Sequence, residues 1–149
     1  SGMVASHFPH LVRKLVLISA GPLEETNSHV WKNRMDRLTP NEREEIHQII
    51  RLMENPADPR KDEYLARFGH YMSRIDSYHP VCVSIESDSL PSSHDIHHAV
   101  WNEAAAMRRS GELLGYFRSV TCPVVAIHGT YDPHPVSYTH LTLPTIYSV

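Results

Sequence analysis

The sequence predicts a mixed α/β chain in which two parallel core strands bracket a long helical insertion. Short apolar runs stand near both ends, KLVLIS at residues 14–19 and PVVAI at residues 123–127. Both are continuous apolar runs, hydrophobic on both faces, the pattern of a strand buried in a parallel sheet. The stretch between them carries helix caps and amphipathic spacing instead.

Taken in order, SGMVASHFPHLVRKLVLISAGP reads as the end of a helix, a turn at Pro9 and then the first strand. NSHVWKNRMDRL places Val30, Trp31, Arg34 and Leu38 at helical spacings, with Met35 beside them. In TPNEREEIHQIIRLMENP, Thr39 is the N-cap, Pro40 takes the first helical position and Glu42 completes a capping box. Ile46, Ile49, Ile50 and Met53 then share one face. KDEYLARFGHYMSRI and SHDIHHAVWNEAAAMRRSGELLGYF have similar spacing, the second broken near Ser110-Gly111. Between these two, SYHPVCVSIESDSLPSS reads as a loop, although Val81, Val83 and Ile85 alternate as in a short strand. The second strand is entered through Pro123, which cannot donate to a ladder, and closed by Gly129.

Composition bounds the function. The chain has 149 residues, 41% hydrophobic and 21% charged, with formal net charge −3 at pH 7, which predicts a soluble globular chain of about one domain. Its scattered Lys and Arg build no basic stripe, so nucleic acid and anionic membranes are excluded as partners. No apolar run approaches the roughly 20 residues that cross a bilayer, and no basic and apolar leader follows Met3. Cys82 and Cys122 are far apart and form no CxxC pair, which points to reduced, structural thiols and a cytoplasmic protein.

Three segments together resemble the α/β-hydrolase superfamily. SGMVASHFPHLVRKLVLISAGP is similar to the helix and strand that follow the nucleophile elbow, with a small-residue pair opening the helix and a turn of the P-x-x-V-x-K-L-V-L kind leading into the strand. CPVVAIHGTYDPHP resembles the later strand and its G-x-x-D turn, and the helical insertion falls where that family often carries a cap. The resemblance implies a partial hydrolase core at residues 1–21, a helical cap at 22–119 and a second core strand with the acid turn at 120–135.

It also implies one catalytic role within the chain. In a Ser-His-Asp/Glu triad the acid sits on a rigid turn, accepts the imidazole N–H, fixes its tautomer and stabilises the imidazolium. Asp132, in HGTYDPHP, matches that position. Pro133 restricts the Asp132 backbone to extended geometry, and Gly129 permits a sharp turn off the strand. Read without the resemblance, YDP is equally a surface turn. The nucleophile of G-x-S-x-G is expected just before Ser1, and Ser1 itself fits better as part of the small pair after the elbow. The oxyanion donors and the general-base His are likewise expected outside the chain. His134 lies close to Asp132 in sequence and reads as a turn residue.

Residues 136–145, VSYTHLTLPT, resemble the translation of a transposon-type sequencing adaptor. On that reading residues 136–149 are a non-native tail, and the chain is a fragment of a longer protein assembled from shotgun metagenome reads. The fragment alone is then expected to be inactive and prone to aggregate.

Two further patterns invite function. HDIHH sets His94, His97 and His98 on overlapping faces of one helix, a spacing that can hold a divalent cation. No HExxH accompanies it, and the resemblance implies neither metal nor cofactor. Trp31, Phe68, Tyr71, Met72, Trp101 and Met107 suit either the core of the cap or an acyl pocket beneath it. The expected parent is therefore a serine hydrolase cleaving an ester or amide of a small molecule or short peptide. Peptidases that remove N-terminal proline and small-ester hydrolases both use such caps. The alternative is a non-catalytic ligand-binding relative that has lost the elbow Ser.

Overall fold

The computed structural model describes residues 2–25, 29–79 and 91–134. Ser1, the alternating patch at Val81, Val83 and Ile85, and the adaptor-like tail lie outside the described residues. Among these residues the order is α1 (Gly2–His7), a 3-10 turn (Pro9–Leu11), β1 (Leu15–Ile18), α2 (Val30–Asp36), α3 (Pro40–Glu54), α4 (Lys61–Asp76), α5 (His94–Ser110), α6 (Glu112–Arg118) and β2 (Val124–Ile127). The class is mixed α/β, with helices lying between two strands. No helix among the described residues is long and apolar enough to cross a membrane.

β1 and β2 pair directly and in parallel, Leu15 opposite Val124 and Ile18 opposite Ile127. Parallel neighbours need a crossover rather than a hairpin, and α2 to α6 all lie in that crossover. Leu15, Leu17, Val124 and Ala126 are buried on one face. Leu15, Leu17 and Val124 pack in a cluster with Ala5, Leu23, Leu114, Phe117 and Val120. The opposite face differs from the two-sided burial expected of these strands. Val16 is 47% exposed and Ile18 70% exposed, because the described cover, α1 and α6, belongs to the cluster on the other side.

The chain divides into two compact units, one formed by the described residues before Val30 and after Val100, the other by Val30–Val100. The first holds the strands, α1 and α6. Gly2 shows why a small residue opens α1: the Phe117 ring of α6 stands where a Cβ would project. The division falls within α5, so the second half of that helix and α6 group with the strands, whereas the cap expected from sequence ran over residues 22–119.

The second unit closes on Met35, Leu38, Ile46 and Ile75, with Ile50, Phe68, Tyr71 and Met72 packed against them. Its helix starts follow the sequence closely. Thr39 accepts from the Glu42 N–H while the Glu42 carboxylate takes the Thr39 N–H, a complete capping box. A two-pronged Arg34–Asp76 pair ties α2 to α4 through Nε at 2.9 Å and a terminal nitrogen at 2.6 Å. The break predicted near Ser110-Gly111 is present, and Gly111 takes the left-handed φ of 76° that separates α5 from α6.

Candidate functional site

The candidate acid lies in a turn just beyond the end of β2, and the groups that hold it come from that turn. Beyond β2, His128 leads into a turn closed by the Asp132 N–H donating to the Gly129 carbonyl at 3.0 Å. Gly129 itself keeps a negative φ and has open space where a Cβ would sit. The sharp turn expected of glycine there is thus made with backbone angles open to other residues. The left-handed position lies instead on the neighbouring strand, at Ser19, whose φ is 48°. Ser19 is the one described non-glycine residue with positive φ. For an L-residue that geometry costs roughly 1–2 kcal/mol.

The Asp132 side chain, 10% exposed, accepts at Oδ1 from both the backbone N–H and the ring Nδ1–H of His134, each at 2.9 Å. His128, whose side chain is 5% exposed, sets Nε2 3.7 Å from Oδ2 and donates that Nε2–H to the His134 carbonyl at 2.8 Å. Burial raises the carboxyl's pKa, but the His134 N–H and ring, the Ser19 hydroxyl and the nearby His128 outweigh it and hold Asp132 below its ordinary value. A carboxylate can only accept, so His134 carries its proton on Nδ1 when neutral, leaving Nε2 as the basic nitrogen. An acid holding an imidazole in this tautomer has the electrostatics a triad requires.

Asp132 thus lies beyond the end of a parallel strand, on a braced turn, ionised and in contact with an imidazole. His134, read from sequence as a turn residue, is in that turn and also reaches the carboxylate with its ring. Ser19, at the end of β1, contributes to that lowered pKa and escaped sequence reading because β1 and β2 meet only in the fold. The signal was a small polar residue closing an apolar strand just before Ala20-Gly21-Pro22.

The other candidates are placed differently. At the start of α5, the His94 and His98 rings stack at 5.7 Å, and burial together with the neighbouring His94 and His98 lowers the pKa of His97. The His94 N–H is taken by Asp62 at 2.7 Å. Among the described residues no three His, Cys, Asp or Glu side chains converge as a metal site. Phe68, Tyr71 and Met72 pack on the second core, whereas Trp31 and Trp101 are exposed. Met107 lines a cleft of about 370 Å³ with Met3, Glu103, Ala106, Glu112 and Tyr116.

Comparison of the chain with protein-family models, curated proteins and solved structures finds no match.

Proposed function

We propose that the chain carries the acid arm of a serine hydrolase of the α/β-hydrolase kind, with Asp132 as triad acid. The elbow serine and general-base histidine stand outside this sequence in that reading. The observation that supports it most is the position of Asp132: a mostly buried, ionised carboxylate just past the end of β2, bound to an imidazole N–H. The order of the segments is the second support, since the strand read as following the elbow lies beside the strand read as bearing the acid.

The substrate class is an ester or amide of a small molecule or short peptide, cleaved through an acyl-enzyme. The elbow Ser attacks the carbonyl while the His takes its proton, and Asp132 holds that His and offsets its developing charge. No metal or cofactor enters, and the protein acts in the cytoplasm, without nucleic-acid or membrane partners.

In the protein that includes the elbow, Asp132→Asn keeps the size of the side chain but removes its charge. kcat should fall by on the order of 10⁴-fold with KM little changed, because the acid acts on the transition state. Unchanged turnover would remove the assignment.

One observation favours a second reading, a ligand-binding relative without catalysis. The Asp132 carboxylate already holds His134, so a triad His must replace the His134 ring or share the carboxylate with it. A purely structural Asp132 would make the same local bonds.

A further inference from the structure

His128 is a buried titratable group to which the proposed triad gives no role. It follows Ile127, the last residue of β2, whose place is set by its pairing with Ile18 of β1. The backbone of His128 is thereby anchored to the paired strands, while its ring reaches forward into the turn. There Nε2–H donates to the His134 carbonyl at 2.8 Å, and the same nitrogen stands 3.7 Å from Asp132 Oδ2. A carbonyl can only accept, so the neutral ring carries its proton on Nε2 and turns an N–H edge, not a lone pair, toward the carboxylate.

The bonds inside the turn span less of it. The Asp132 N–H reaches back to Gly129, and His134 reaches Asp132 Oδ1 through its N–H and its ring. The His128 bond runs from the end of the strand to residue 134, the residue that grips Oδ1. A turn that braces itself can still pivot about the end of its strand. A bond from the anchored end to the far end opposes that rotation.

We propose that His128 is a positioning residue for Asp132: its buried ring, donating Nε2–H to the His134 carbonyl, clasps the acid turn to the end of β2 and so fixes where the carboxylate lies. The clasp stands on the geometry of the turn, and only its value for catalysis rests on reading Asp132 as a triad acid.

Two readouts on the full chain test it without turnover, both in alkaline buffer where imidazoles are neutral. Long-range proton–nitrogen NMR reports the tautomers of His128 and His134. Hydrogen exchange compares the Asp132 and His134 amides with those of residues 15–18 and 124–127. His128→Phe keeps a ring and removes the donor, whereas His128→Gln keeps an N–H donor close to the Nε2 position. Where His128→Phe does not fold, His128→Asn, whose amide is too short to reach the carbonyl, removes the clasp with a polar side chain.

The unaltered chain should show Nε2–H at His128 and Nδ1–H at His134. Loss of the donor should speed exchange of the two turn amides about two- to tenfold, the factor that one hydrogen bond is worth, and leave the strand amides as before. His134 should then drift from Nδ1–H toward a mixture of tautomers, because the carboxylate that selects Nδ1–H is no longer held. His128→Gln should restore both signals.

A proton on Nδ1 of His128 in the unaltered chain overturns the proposal. So do an unmoved His134 tautomer when the donor is lost, a Gln variant that behaves like Phe, or exchange that quickens in the strands as much as in the turn. None of these readouts involves turnover, so full activity in Asp132→Asn would remove the triad reading and leave the clasp standing.

Discussion

Asp58 and Asp132 sit in turns built on the same local plan, one in each unit. Each accepts the backbone N–H of the residue two positions on, Arg60 or His134, at 2.9 Å, and each also binds that residue's side chain. Their side chains are almost equally covered, 8% and 10% exposed. The partners differ. Asp58 is gripped by the Arg60 guanidinium through Nε at 3.1 Å and a terminal nitrogen at 3.0 Å, and the Tyr64 hydroxyl donates to it as well. The Arg60 side chain, then its N–H, pull Asp58 down to about 2. Guanidinium is permanently charged and matches carboxylate geometry, so this carboxylate is saturated. Asp132 is held by the backbone N–H and the imidazole of His134, and an imidazole can exchange protons and partners. The short motif of Asp followed two residues later by a basic residue therefore decides nothing about role; the company kept by the carboxylate does.

Turnover separates the two turns by the largest margin. On the proposed triad role, Asp132→Asn should cost on the order of 10⁴ in kcat in a protein that supplies the proposed nucleophile. Asp58→Asn should leave kcat unchanged and lower only the melting temperature. Equal losses of activity in both variants would erase the distinction.

A smaller perturbation strikes the unit that holds Asp132. Gly2→Ala drives a methyl into the Phe117 ring and should cost about 1–3 kcal/mol, the usual range for overpacking. Denaturant titration gives the value, and hydrogen exchange should localise the loss to α1, α6 and the strands. A loss that falls mainly on α3 and α4 would contradict the division into units. In the other unit, Thr39→Ala removes the cap of α3 and should cost about 1 kcal/mol, with exchange rising in the first turn of that helix.

Acid is the gentlest probe. Both carboxylates titrate in the folded chain below their ordinary 3.8, so the stability they contribute is complete above 3.8 and is lost as pH falls through the folded value. For Asp58 that loss extends down to about 2. His97 runs earlier. Its folded value is lowered from 6.5, so the start of α5 should begin to lose stability as pH drops below 6.5, visible as faster exchange there. Exchange at α5 that stays constant down to pH 4 would exclude this.

Much of the fold was legible because its signals are local. The Thr39-Pro40-x-Glu42 box, the helix break at Gly111 and the two apolar strands each rest on neighbouring residues, and the structure reproduces them. The direct pairing of β1 with β2 was not legible, since register between distant segments is set by tertiary packing rather than by either run alone. The same limit hid the site's second half. Asp132 could be singled out from HGTYDPHP, yet Ser19 acquires meaning only when β1 lies beside β2, and its positive φ has no mark in LVLISAGP. One-sided exposure of Val16 and Ile18 was hidden for a related reason: a continuous apolar run shows that a strand is apolar on both faces, not which face is covered.

The measurement that tests the central proposal most directly is kcat for Asp132→Asn beside Asp58→Asn, in a longer protein supplying the elbow serine and general-base histidine that the proposal requires. The account predicts a loss of about 10⁴-fold for the first and none for the second. Full activity in Asp132→Asn would show that the turn after β2 is, like the turn at Asp58, a structural brace.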